Sequence, residues 1–277
     1  MAQPTDIPNE ILLLFFSHLP LKALIAARGV DRRWKQLVPN ADILPARRSL
    51  LNLYLRVLAS PLFIPTRPWV LSRLQPFDRK GYLDTLLQEH QYLPEDFCLW
   101  VLEWPARAAI RRSWPGLPVC APAGSMVNDL ENISGYNWLG TLPPRLSAMS
   151  FGRLPYGSMP ALCLWVGNGE ATWLSLDQRD GLRGKVYELY TDGYWQAPKN
   201  GLDVDKLYAN FIEWQTWLWE RVERKAAYAS SYSPEKLDAG ESRGVRLLVH
   251  GERKMVSYPV LPTYDQLQSM KSDSVCF

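Results

Sequence analysis

Residues 7–38, IPNEILLLFFSHLPLKALIAARGVDRRWKQLV, set the reading of the whole chain. Pro8 stands beside a helix start, and Asn9 and Glu10 suit its first turn, where capping and acidic side chains meet the exposed amides. Ile11 to Phe16 are apolar without a break, which covers every side of a helix and not one stripe. Leu19-Pro20 ends that helix, since the residue before a proline disfavours helical geometry. Leu21 to Arg28 predicts a second short helix. Gly29 breaks it, and Asp31 can cap a third with Trp34, Leu37 and Val38 on one side. Three helices this short cannot bury so much apolar surface among themselves, because units below about 40 residues rarely hold a core. The surplus must be covered by the rest of the chain or by a partner.

Working outward, Ala46 to Ala59 predicts a helix with Leu50, Leu53, Tyr54, Val57 and Leu58 at three- and four-residue steps. Arg47, Arg48 and Arg56 read as its solvated face. Ser60 to Pro76 carries four prolines, a pattern that argues against regular helix and for an extended segment wrapping the next domain. Phe63, Ile64, Trp69 and Leu71 favour wrapping. Gly81 to His90 and the stretch from Pro94 to Leu102 predict two more helices, the second stopped at Trp104-Pro105. Residues 114–155 read as irregular. Ala161 to Val166 and Ala171 to Leu176 flank Gly167-Asn168-Gly169 and predict a β-hairpin. Lys185 to Tyr190 predicts a third strand, and Tyr194-Trp195 a short fourth. Val204 to Ala227 predicts the longest helix, striped by Leu207, Phe211, Trp214, Leu218 and Val222 and capped by Asp203 or Asp205. Ser230 to Gly244 reads as a loop, Val245 to His250 with Met255 to Val260 as a last hairpin, and the rest as a frayed tail.

Strands joined by short turns cannot be parallel. The fold class is therefore α+β: short N-terminal helices, then an antiparallel sheet covered by helices. The expected divisions are 1–50, 51–78 as a helical and Pro-rich linker, 79–228 as the α+β body, and 229–277.

The chain has 277 residues, 47% hydrophobic and 21% charged, which excludes wholesale disorder. A net charge of +3 argues for neither nucleic acid nor membrane as a partner. Twelve tryptophans suggest a Trp-rich core or an aromatic binding surface. Cys98, Cys120, Cys163 and Cys276 stand too far apart for a Cys-x-x-Cys knuckle or redox pair, so a reducing compartment, cytoplasmic or nuclear, is expected.

Ile7-Pro8, Glu10-Ile11-Leu12, Phe15-Phe16, Leu19-Pro20, Leu24, Val30, Arg32-Arg33 and Trp34, in this order and spacing, resemble an F-box. The resemblance implies docking onto the adaptor subunit of a cullin–RING (SCF-type) ubiquitin ligase, with the remaining chain selecting a protein substrate. It assigns the docking to Pro8, Ile11, Leu12, Phe15, Leu19, Pro20, Leu24, Val30 and Trp34. In the body, Leu93-Pro94-Glu95-Asp96-Phe97, the hairpin, Val186-Tyr187-Glu188-Leu189 and Phe211-Ile212-Glu213-Trp214 resemble the SUKH superfamily of α+β binding domains. The two together imply a fungal receptor that is not an enzyme.

Motifs for chemistry are sparse. His18, His90 and His250 lack the spacing of a zinc helix, and His18 is expected at the surface. Gly157-Ser158 lacks the second glycine of a nucleophile elbow, and Gly181 to Lys185 lacks the spacing of a phosphate loop. Neither catalytic residues, nor a metal, nor a cofactor is expected. Two readings compete: a scaffold that binds proteins without a ubiquitin role, and a carbohydrate-directed enzyme. The enzyme uses carboxylates among Glu170, Asp177, Asp180, Glu188 and Asp192 with sugar-stacking Trp165, Trp173 and Trp195.

Overall fold

A computed structural model describes residues 7–121, 135–144, 146–150, 158–167, 170–190 and 206–231. All lie in the unit Met1–Ser233; the second unit, Pro234–Phe277, is outside the described residues, as are Tyr194, Trp195 and the expected last hairpin.

The first three helices form where the punctuation predicts. They are α1 (Asn9–Ser17), α2 (Leu21–Ala27) and α3 (Arg32–Leu37). Pro8 and Pro20 stand immediately before α1 and α2. Asp31 caps α3 by accepting from the Trp34 amide at 2.8 Å. Asn9 does not cap α1; its Oδ1 accepts from Arg33 Nε at 2.9 Å and so ties α1 to α3.

Helix α4 (Pro45–Ala59) packs on α2, α7 and α8. Arg56 is exposed as expected, but Arg47 does not belong to a solvated face. Arg47 grips Glu103 with two bonds of 2.8 Å, Arg48 donates to the carbonyls of Pro39 and Ala41, and Arg56 reaches Glu220 and Glu223. Ser60–Pro76 is also not helix-free: a 3-10 turn (Ile64–Thr66) leads into α5 (Arg67–Arg73). Pro65 and Pro68 sit in the first positions of these turns, where a missing amide costs nothing. Phe63 and Trp69 do pack against the core, whereas Ile64 and Leu71 are exposed.

Helices α6 (Arg79–Glu89) and α7 (Glu95–Glu103) follow as expected. The stretch read as irregular instead supplies three strands: β1 (Cys120–Ala121), β2 (Gly135–Asn137) and β3 (Leu146–Ser150). They are short and rely on distant partners, β1 on β2 and both β2 and β3 on β4 (Ser158–Gly167), which a local pattern does not show. β5 (Glu170–Ser175), β6 (Val186–Tyr190) and β7 (Lys206–Tyr208) complete a seven-stranded sheet in which every pair is antiparallel. β2 and β3 share the edge of β4 that faces away from β5, end to end.

The long helix α8 runs Phe211–Ser231 and not from Val204, because residues 206–208 pair with β6. The expected caps, Asp203 and Asp205, lie outside the described residues. Asn210 Oδ1 takes the Glu213 amide, and Asp96 at the start of α7 takes those of Phe211 (2.8 Å) and Ile212 (3.4 Å).

One buried cluster extends from Leu12 and Leu24 through Leu50, Trp100 and Leu174 to Val222, crossing positions 50 and 78. Trp100, Trp104, Trp114, Trp214 and Trp219 are wholly inside it, so the tryptophans chiefly fill the core. The other sheet face carries a smaller cluster of Met159, Ala161, Leu182, Tyr187 and Leu189.

Candidate docking surface

In α1 the unbroken apolar run divides by helical phase. Leu12 and Phe16, one turn apart, face the core; Leu12 is 2% exposed. Ile11, Leu14 and Phe15 face outward, Leu14 at 61%. Ile7, just before the helix, is also exposed; within α1, Ile11, Leu14 and Phe15 stand at i, i+3 and i+4, which marks one side of a helix. Large apolar side chains left together at a surface are a mark of a partner site. Covering each contributes roughly 1.5–3 kcal/mol.

Helix α3 supports this surface from behind. Trp34 meets Phe16 edge-on at 5.1 Å between ring centroids and Phe15 at 6.5 Å. Its indole N–H is buried without a hydrogen-bond partner among the described residues. Arg33 donates to Asn9 Oδ1 and to the Ile7 carbonyl, which fixes the start of α1. The unit is then fastened to the body by one carboxylate. Glu103, at the end of α7, accepts from the Leu21 amide at 2.7 Å and from Arg47. It serves as the cap that α2 lacks locally, since Pro20 offers none.

The predicted docking residues therefore divide. Pro8, Ile11, Phe15, Pro20 and Val30 are exposed, and Leu19 and Trp34 are half-buried. Leu12 and Leu24 (0% exposed) belong to the chain's own core, and α1 and α2 are built on them. Leu14 and Ile7 were not among the docking residues assigned from the sequence, although the helical step of three from Ile11 would have found Leu14. His18 is exposed, as expected.

The residues of the carbohydrate reading are brought together only in part. Trp165, Glu170 and Glu188 share one cavity. Trp173 packs with the cluster on the opposite sheet face, and Asp177 is held by Arg179, which draws its carboxyl below the usual range. Asp192 and Trp195 are outside the described residues. Burial, with the charges of Asp96 and Glu95, pushes the Cys98 thiol up to about 11, so it stays protonated at neutral pH and is a poor nucleophile. Among the described residues no group of three His, Cys, Asp or Glu side chains could hold a metal ion, and no helix is long and apolar enough to cross a membrane.

A comparison with family models matches residues 5–44 to the F-box-like family. These residues form an F-box-like domain. F-box domains bind the small adaptor subunit of cullin complexes and typically act as adaptor or receptor modules rather than enzymes. The F-box-like domain contains the whole outward stripe of α1. Comparison with curated proteins and with solved structures found no match.

Proposed function

We propose that the chain is a substrate receptor of a cullin–RING ubiquitin ligase. In this reading the F-box-like helices dock on the adaptor through Ile11, Phe15 and Val30, joined by Ile7 and Leu14. Pro8, Leu12, Leu19, Pro20, Leu24 and Trp34 shape and support that surface. The α+β body holds the target protein, and the chain itself is not a catalyst. The observation that carries the reading is the coincidence of the F-box-like match with an apolar stripe that the chain leaves uncovered.

The body's likeness to the SUKH superfamily belongs to the same proposal. It is supported by the order of α7, the β4–β5 hairpin, β6 and α8. A cytoplasmic or nuclear setting follows from the proposed role, and the free thiols of Cys98 and Cys163 are in keeping with it.

The test is binding of the purified chain to a recombinant adaptor subunit. Wild type is expected to bind, and a Leu14→Ser, Phe15→Ser double variant to lose at least about tenfold in affinity with unchanged circular dichroism. Binding that survives this double change overturns the docking reading.

A further inference from the structure

Arg79 opens α6 and is half-buried without a counter-charge among the described residues. Its Nη1 donates at 2.9 Å to each of the Val101, Leu102 and Trp104 carbonyls, at the end of α7, where the helix has no amide left to meet them. The guanidinium lies over the Trp114 ring, 5.0 Å from its centroid. Nε and Nη2 donate to nothing among the described residues. The carboxylates beside it in sequence are engaged elsewhere. Asp78 caps α6 at the Gly81 amide, and Glu103 is held by Arg47 and the Leu21 amide. Burial draws the Arg79 guanidinium down from its ordinary value. Lys22 of α2 feels the same field: burial, and then the charge of Arg79, lowers its ammonium.

Nε and Nη2 make the edge with which an arginine grips a carboxylate through two parallel bonds. Arg47 uses that edge on Glu103, both bonds at 2.8 Å, and Arg179 uses it on Asp177. In Arg79 the edge is unused.

Arg79 is one wall of an open cavity of about 310 Å³, a size that suits a small ligand. Leu74, Pro76, Phe77 and Ala106 make it mostly apolar, with Trp114 beneath and Gln75 as the other polar wall. The shape is built without a ligand. Phe77 is held edge-on by Tyr82 at 5.1 Å and by Trp114 at 6.2 Å. The Gln75 amide donates to the Gly116 carbonyl at 2.9 Å, and a Cβ at Gly116 would come within 2.9 Å of the Gln75 carbonyl oxygen. Glycine there lets the two segments approach closely.

An unused guanidinium edge beside apolar walls selects its ligand by charge and by polarity. A cation is repelled. A sugar leaves the charge unmet and sets hydroxyls against apolar walls. Phosphate carries more charge than one edge meets and gains nothing from Phe77 or Ala106. A carboxylate matches the edge in sign and geometry, and an apolar group attached to it fills the rest.

We propose that this cavity binds a carboxylate carried on an apolar group. The carboxylate accepts from Arg79 Nε and Nη2, and the apolar group lies against Pro76, Phe77 and Ala106. Small organic acids offer this chemistry, and so does the end of a polypeptide whose last residue is apolar. The proposal does not rest on the docking reading, since the cavity shares no residue with the α1 stripe.

The test titrates the full chain by calorimetry with 3-phenylpropanoate, with acetyl-Gly-Gly-Phe and acetyl-Gly-Gly-Leu, with the amide of each acid, and with inorganic phosphate. At least one acid is expected to bind with Kd below about 1 mM, and its amide at least about tenfold more weakly. Phenylpropanoate within about tenfold of the peptides assigns the site to small acids; peptides tighter by more than that assign it to chain ends. Gln75→Glu sets a carboxylate in the wall that Arg79 shares. Gln75 is exposed, and its side chain bonds to nothing among the described residues, so circular dichroism should be unchanged while affinity falls at least about tenfold. Arg79→Lys, which keeps a cation near α7 but loses the paired donors, should weaken binding by a similar factor. No binding by any acid, equal binding of the amides, phosphate bound as tightly as the acids, or an affinity unmoved by Gln75→Glu would overturn the proposal.

Discussion

Helix α1 turns Ile11, Leu14 and Phe15 toward solvent, whereas the interior beneath α8 buries Glu188, Ser113 and the Trp214 N–H. Each reverses the usual placement of its side chains. The physical costs differ. An exposed apolar stripe costs the folded state little, because those side chains are also wet when the chain is unfolded. A buried carboxylate or an unpartnered donor costs the fold directly, at about 1–3 kcal/mol for a neutral group. The stripe can thus sit on short helices at one end of the unit. The buried polar groups need a seven-stranded sheet, a 21-residue helix and a large aromatic core to hold them in place.

This contrast can be broken most sharply inside α1. Leu12→Ala is expected to destabilise the unit by about 2–5 kcal/mol, because the core closes poorly over the lost methyl groups. Leu14→Ala should stay within about 0.5 kcal/mol. Urea unfolding followed by tryptophan fluorescence measures both. Equal costs would mean that the chain covers the stripe itself.

The seam between the regions comes next. Glu103→Ala leaves the Leu21 amide without its acceptor and Arg47 without its counter-charge. The pair is mostly buried, so a loss of about 1–3 kcal/mol is expected. The docking helices should then loosen first, which hydrogen exchange at α2 would show. Uniform loosening of the unit would mean that the shared core, and not this carboxylate, joins them.

The smallest effect concerns Asp96, which couples α7 to α8. Burial holds its carboxyl above the ordinary 3.8, against the amides of Phe97, Phe211 and Ile212, which favour the charge. A folded value above the unfolded one means that the native state keeps the proton longer. Its contribution to stability therefore falls as pH rises from about 3.8 to the raised value and is level beyond it. Asp96→Asn should remove that fall, so the variant gains on wild type across this interval and holds the gain at neutral pH. Urea midpoints at a series of pH values measure the difference; a gain for wild type instead would show that the amides outweigh burial.

Most of the fold could be read locally. The prolines before α1 and α2, Asp31 before α3, the stripe of α4 and the glycine turn between β4 and β5 are signals within a few residues. The apolar runs of β4 and β5, the strand pattern of β6 and the α+β class follow from the same short range. The stretch from 114 to 155 was not legible, because β2 and β3 are strands only where β4 gives them partners, and β1 only where β2 does. The start of α8 was misplaced for a related reason: residues 206–208 carry a helical pattern but pair with β6. Arg47 looked solvated because its carboxylate lies 56 residues away, and the partners of the exposed Arg56 were hidden likewise, the nearer being 164 residues away.

The sequence by itself determined the F-box-like stretch, since its apolar excess, helix ends and residue order are all contained in 32 consecutive positions. Only the tertiary structure decided which of those apolar residues face outward, because Ile11 and Leu12 differ in helical phase and not in kind. Only the tertiary structure assembled the cavity at Arg79. Its walls come from the segments around Phe77, Ala106 and Trp114, and the carbonyls that turn the Arg79 guanidinium lie 22, 23 and 25 residues away.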